Sequence, residues 1–554
     1  MPAPAASPLA GEWPTALLDP AGTRFSPLDQ ITPANVDQLQ EVWRFAGPVP
    51  GGWEGGPLVV RQVMYLHTPF PNRVVALDLK RPGTVLWTYQ PPVGRAARPT
   101  AARGDGARGL AWHPKGIVYV PILPGYLAAL NATTGREIWR VRNADPRLGA
   151  TISSVPLVAG DLVLIGMAGS EYGVRGYLTA YQADNGKLLW RAYTTGPDTD
   201  VLAGAAAASH RGLGQSTWPP EAWRQGGGTV DGWLTWDPIL KMVFHGTGAP
   251  APWNASPRPG DNKWTASILA RDLATGQLRW GFQTTTGDAW GYGAEGENIL
   301  ADLRIDGQPV ATVVHVGRNG FAYTLDRQTG RLLVVERAGP VNWVSSVDPN
   351  SGVPTKAPRY LPPANGTTRG ICPATVGIKG SAASAFSPST GLLYAPLMNL
   401  CMDVTTTLPV LVAGQPYLGA SWKLLPGPGA SLGRLIAWDP AVGAIRWEVG
   451  EPYPLLGGVL VTASGLVFYA TTDGWLKAVD ALNGRERWRY RLPSGSMGAP
   501  MTYLAPDGRQ YLALPLGMGG WPSLANAATV RPPSWSSDQP GMLLVLGLPP
   551  AGDR

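Results

Sequence analysis

Short apolar or alternating runs, each broken by Gly, Pro, Asn or Asp, recur along the whole 554-residue chain. Runs of this kind with turn residues at both ends predict β-strands rather than helices. One unit returns seven times: an apolar strand ending in Ala-x-Asp or a variant, a short turn containing Gly, and a strand that reaches Trp. It reads VVALDLKRPGTVLW to Trp87, YLAALNATTGREIW to Trp139, YLTAYQADNGKLLW to Trp190 and ILARDLATGQLRW to Trp280. AYTLDRQTGRLLVV lacks the Trp, while LIAWDPAVGAIRW and LKAVDALNGRERW end at Trp447 and Trp488. Asp or Asn ahead of the turn accepts hydrogen bonds from the amides that follow, and Gly supplies the positive φ of a tight hairpin. A Trp at a constant distance from that turn predicts one large anchor wedged between neighbouring sheets.

A single small sheet of this composition cannot bury both faces. Radial stacking buries them, and closing the ring leaves few open edges. The prediction is an all-β fold, an eight-bladed β-propeller with Trp-docking repeats: seven blades from the repeats and one shared between the termini. GMLLVLGLP and EVWRFAG are the expected closing strands. Residues 11–548 are expected to form this single domain, with tails at 1–10 and 549–554. Gly/Pro/Trp-rich insertions at 197–230, 248–264 and 338–372 are expected on one face, over the central channel.

Composition narrows the functional classes. With 71 Gly and 56 Pro against only 15% charged residues, the chain is punctuated into short elements. No apolar run approaches the roughly 18–20 residues that would span a bilayer. The formal charge is +7, but Lys and Arg are scattered singly rather than clustered with aromatics, which argues against nucleic acid. A solvated basic surface, or steering towards an acidic partner, remains. Cys372 and Cys401 are too far apart for a zinc cluster or a CxxC motif, and no CxxCH haem attachment is present. They are two buried thiols or one disulfide. The start, MPAPAASPLAGEW, lacks the basic and apolar regions of a signal peptide, as in a cytoplasmic chain or a mature chain given a new initiator Met.

The inserted segments are more specific than the repeat. GEWPTALLDPAGTRFSPLDQITPANVDQLQEVW, GSEYGVRGYLTAY, GTGAPAPWNASPRPGDNKWT, GRNGFAYTLDRQTG, GICPATVG, LCMD, YATTDGWLKAVD, PSGSMGAPMTY and GMGGWP follow in order from about residue 11 to 548. Together they resemble the PQQ-dependent (quinoprotein) alcohol dehydrogenases, closest in wording to methanol dehydrogenase large subunits. The resemblance implies an eight-bladed propeller, PQQ with calcium or a lanthanide as cofactors, and cytochrome c or another periplasmic protein as partner. It also implies that Cys372 and Cys401 form a structural disulfide, and hence a periplasmic location with the signal peptide absent from this chain.

PQQ is a flat, triply anionic quinone, so a site for it needs cations and donors around the rim and flat contacts on its faces. A metal near the reactive carbonyl acts as Lewis acid, and a carboxylate takes the alcohol proton. The resemblance assigns cofactor-binding positions to Glu54 in WEGGP, Arg108 in ARGLAW, Ser153, Thr229 in GGGT, Arg318 in GRNG and Trp521 in GGWP. It assigns the metal-binding glutamate to Glu171 in SEYG.

Other positions depart from the family pattern. The second metal ligand, an Asn, falls on Ala249; the catalytic Asp falls on Gly291; and the additional Asp of lanthanide-dependent enzymes falls on Gly293. The vicinal cysteine pair becomes Ala102 and Arg103, the stacking Trp becomes Asp231, and a further Trp and Asn become Leu456 and Gly380. Trp233, Glu295 and Glu297 lie close enough in sequence to replace a lost partner if the local alignment shifts. The first reading is therefore a degenerate family member without normal alcohol oxidation, in a binding or scaffold role. The second is an active dehydrogenase with a rearranged site that passes electrons to cytochrome c. The third is a peptide- or protein-binding propeller.

Overall fold

A computed structural model of the protein describes residues 11–93, 108–519 and 540–550. Eight antiparallel sheets of four strands dominate it, one of them widened by a short fifth strand. The first contains Leu58–Val60, Val63–His67, Val74–Asp78 and Thr84–Tyr89, paired in chain order. The others span residues 111–142, 157–193, 234–283, 299–337, 385–451, 459–491 and 501–547. We number them blades 1 to 8. The ring closes as expected. Gln40–Pro50 lies antiparallel to Pro540–Gly547 at the outer edge of blade 8, with Trp43 opposite Val545 and Phe45 opposite Leu543.

Each repeat forms the third and fourth strands of a blade, and its Trp docks on the next blade. Nε1 of Trp87, Trp139, Trp190, Trp280 and Trp447 donates to the carbonyls of Ala132, Ala183, Leu273, Arg327 and Ala481. The indole lies under the turn glycine of that neighbour. A Cβ on Gly330 (φ +74°) would stand 2.6 Å from the Trp280 ring. Where the repeat has no Trp, Gly443 instead faces Val334 and Glu336. Glycine thus serves twice, for turn geometry and for close approach of the ring.

Inside the ring, residues 11–26 run past the first strands of seven blades. Main-chain hydrogen bonds join Gly11 to Leu504, Trp13 to Val59, Pro14 to Trp112, Pro20 to Trp236, Ala21 to Leu300, Thr23 to Phe386 and Arg24 to Val461. The buried Arg24 guanidinium donates to the carbonyls of Val459, Ala16 and Pro500 at 2.7, 2.6 and 2.6 Å and lies over the Trp13 ring. Burial lowers its pKa to about 10. This strap runs along the inner strands and leaves a cavity of about 530 Å³ between itself and blades 4, 5 and 6.

In a four-strand meander, the connection between strands two and three and the connection to the next blade emerge at the same end. The long insertions therefore share one face, as expected. From blade 6, Gly366–Ile371, Leu400–Thr406 and Ala420–Pro426 form a three-stranded outer sheet, tied down by the Cys372–Cys401 disulfide. It reaches other blades: Tyr417 N–H donates to Glu171 O at 2.7 Å, Trp253 N–H to Leu418 O at 2.8 Å, and the Trp253 and Trp422 rings pack 4.8 Å apart.

Candidate functional site

The segments leading into the first strands of blades 1, 2, 3, 4, 5 and 6 converge on the channel mouth. Their backbones touch because glycines allow it. A Cβ on Gly55 would collide with Arg108 O, and one on Gly232 with Glu295 O. At this junction Arg108 Nε pairs with Glu54 Oε2 at 3.1 Å, with both side chains buried, and Arg108 Nη1 donates to Asp231 O at 2.6 Å. One guanidinium thus ties together the approaches to blades 1, 2 and 4. Asp231 is fully buried beside it.

Across the mouth, Arg318 sits between the second and third strands of blade 5, 8% exposed. Its Nη2 donates to Thr375 O at 2.5 Å, and its Nη1 lies 3.4 Å from Glu295 Oε2. Arg318 Nε, Thr375 Oγ1 and Ser153 Oγ are buried without a hydrogen-bond partner. Buried polar atoms are normally paired, so these three groups retain hydrogen-bonding capacity that no protein atom meets.

The 288–298 segment carries two of the departures from the family pattern, Gly291 and Gly293. Asp288 accepts the backbone N–H groups of Trp290, Gly291 and Tyr292 at 2.8, 3.1 and 2.6 Å, pinning the loop. Burial raises the Asp288 pKa despite those bonds and the nearby Arg258 charge. Gly291 has φ +81°, and a Cβ there would stand 2.6 Å from Thr375 Oγ1. A Cβ on Gly293 would collide with Glu295 Oε2 and lie 2.7 Å from Ala249 N. The Glu295 carboxylate thus occupies the space over Gly293, between Ala249 and Arg318.

The other expected replacements do not take that place. Glu297 is buried against Lys379 Nζ at 2.6 Å and accepts Ser384 N–H at 2.8 Å. Burial pushes its carboxyl pKa up, but the Lys379 charge and these hydrogen bonds outweigh it and hold the group below its ordinary value. Trp233 donates to Ser381 O at 2.9 Å and packs on Ala16, Leu17, Val155 and Ala383, a floor between strap and mouth. Leu456 packs in a buried apolar cluster with Met497 and Met518. Thr229 Oγ1 is hydrogen-bonded to Ser170 Oγ at 2.9 Å, so it braces the turn that carries Glu171. Glu171 itself is half-buried under the Tyr417 contact. Ala102, Arg103 and Trp521 lie outside the described residues. Sequence reasoning named none of Thr375, Lys379, Ser384 or Asp288; the GICPATVG motif contains Thr375 without singling it out.

Tested against the implied cofactors, the mouth answers differently for the two. Arg108, Arg318 and the hydroxyls of Ser153 and Thr375 suit the rim of an anionic quinone. The donor set does not fit a hard cation. Among the described residues no group of three or more His, Cys, Asp or Glu side chains could hold a metal ion, whereas calcium takes about six to eight oxygens.

The eight sheets close into a propeller whose mouth holds Arg108 and Arg318 beside Glu54, Asp231 and Glu295. Residues 13–355 and 434–512 match the PQQ-dependent glucose/ethanol/alcohol dehydrogenase β-propeller domain. The chain is 40% identical over 554 residues to the lanthanide-dependent methanol dehydrogenase of Methylacidiphilum fumariolicum, covering 98% of this chain and 90% of that one. It is 40% identical over 519 residues to methanol dehydrogenase [cytochrome c] subunit 1 of Methylorubrum extorquens, covering 90% and 83%. A europium-containing methanol dehydrogenase superposes with TM-score 0.94 at 38% identity, covering 98% of this chain and 99% of that one. The chain belongs to the PQQ-dependent alcohol dehydrogenase family.

Proposed function

We propose that this protein is a PQQ-dependent alcohol dehydrogenase with a rearranged site, which passes its electrons to a cytochrome c. The observation that carries this reading is Glu295: a buried carboxylate set between Ala249 and Arg318, over Gly293, the position that the resemblance assigns to the additional Asp of lanthanide-dependent enzymes. Full-length similarity to dehydrogenases supports it over the degenerate reading. When bound, the quinone supplies the acceptor for a hydride from the alcohol carbon. Arg108 and Arg318 orient its anionic rim, Ser153 and Thr375 offer hydroxyls to it, and the Trp233 floor keeps the strap side dry. Glu295 Oε2 is the atom placed to take the alcohol proton. The Cys372–Cys401 disulfide supports an oxidising compartment, in keeping with a periplasmic enzyme.

The test is to incubate the protein with PQQ, desalt it, and measure quinone absorbance and dye-linked oxidation of primary alcohols and aldehydes. Retained quinone and turnover are expected, with Glu295→Gln lowering turnover by about two to four orders of magnitude, as for loss of a general base. Absence of both retention and turnover would return the protein to the binding-propeller reading.

A further inference from the structure

We infer that the place where relatives hold a metal cation is not a cation site in this chain: the Arg318 guanidinium supplies the positive charge there, and quinone binding is independent of calcium and lanthanides. This rests on the quinone-binding reading above and concerns what balances the charge of the bound quinone.

Three observations converge. Of the positions that the family resemblance assigns to metal binding and catalysis, Ala249, Gly291 and Gly293 carry no donor side chain, which leaves Glu171 alone. The vacated volume has been taken over. Glu295 Oε2 fills the space over Gly293, and Thr375 Oγ1 stands where a Cβ on Gly291 would come within 2.6 Å. Glu295 is salt-bridged to Arg318 at 3.4 Å, with both side chains 9% exposed. A cation entering here would meet an existing guanidinium at low dielectric and would have to draw Glu295 away from it. The guanidinium also keeps a free valency. Its Nε is buried without a partner, while Nη1 and Nη2 are engaged by Glu295 and Thr375. A ligand oxygen meeting Nε would complete the pattern of a charge-assisted donor set.

The full chain, stripped with chelator, is incubated with PQQ in the presence of EDTA, calcium chloride or lanthanum chloride, then desalted. Quinone per chain is read by absorbance and metal per chain by elemental mass spectrometry. The expected result is equal, stoichiometric quinone retention in all three arms, with metal far below stoichiometric. Retention only with calcium or lanthanum, accompanied by stoichiometric metal, overturns the inference and leaves the quinone reading standing. Loss of quinone in every arm overturns both. Arg318→Met, measured in EDTA, is expected to weaken PQQ binding by at least about tenfold, the size of one charge-assisted hydrogen bond. Unchanged affinity in folded Arg318→Met also overturns the inference.

Discussion

Two buried arginines line the same channel and show what separates a structural cation from a ligand-binding one. Arg24, in the strap, spends Nε, Nη1 and Nη2 on three main-chain carbonyls, and an indole covers it. Arg318, at the mouth, has a 3.4 Å carboxylate contact, one carbonyl and an Nε with no partner. Burial alone therefore does not mark function.

The largest expected effect breaks or upholds that contrast directly. Arg24→Ala leaves the carbonyls of Val459, Ala16 and Pro500 buried without donors, each costing about 1–3 kcal/mol. Denaturant unfolding is expected to show a loss of about 4 kcal/mol or more. Arg318→Ala takes the guanidinium away from the buried Glu295 carboxylate and from Thr375 O and is expected to lose about 3–5 kcal/mol in the same measurement. The contrast is that only Arg318→Ala weakens quinone binding, and equal quinone affinity in the two folded variants would erase the distinction.

Acid should act on the packed blades rather than the mouth. Burial holds His67 and His245 at about 3, the latter helped by the Arg271 charge, and His315 at about 4. These lie below the unfolded value of 6.5, so as pH falls from 7 towards 4 the unfolded chain takes up protons first and stability is lost. Each of these histidines contributes about 2 kcal/mol to the loss at pH 5. Thermal unfolding midpoints across that range should fall, and His245→Gln should flatten the curve.

A smaller contrast lies within the repeat itself. Gly330→Ala forces a Cβ to 2.6 Å from the rigid Trp280 ring, while Gly443→Ala meets Val334 and Glu336, which can move. Both pay for positive φ, so the first should cost about 2–3 kcal/mol and the second about 1 kcal/mol. Equal unfolding shifts would mean that backbone strain, not Trp docking, sets the requirement for glycine.

Much of the fold was legible because its signals are local. The turn Asp or Asn, the glycine and the Trp of each repeat lie within one hairpin, and the missing Trp before Gly443 was visible as a gap. The site was legible only in part. Arg108, Arg318 and Glu54 stand at the channel mouth, and Glu171 is half-buried under the blade 6 sheet. Glu295, Glu297 and Trp233 were equal candidates to fill the gaps, and sequence distance could not rank them. Their partners, Arg318, Lys379 and Ser381, arrive from other segments.

The sequence by itself determined an all-β propeller, its repeats, its closing strands and its family, since each follows from short-range periodicity or contiguous motifs. Only the tertiary structure decided which acidic residue stands over Gly293, that residues 11–26 stitch seven blades from within, and that Arg318 keeps an unpartnered Nε. The physical reason is that these depend on where blades distant in sequence bring their backbones into contact, and on which charges that contact leaves paired.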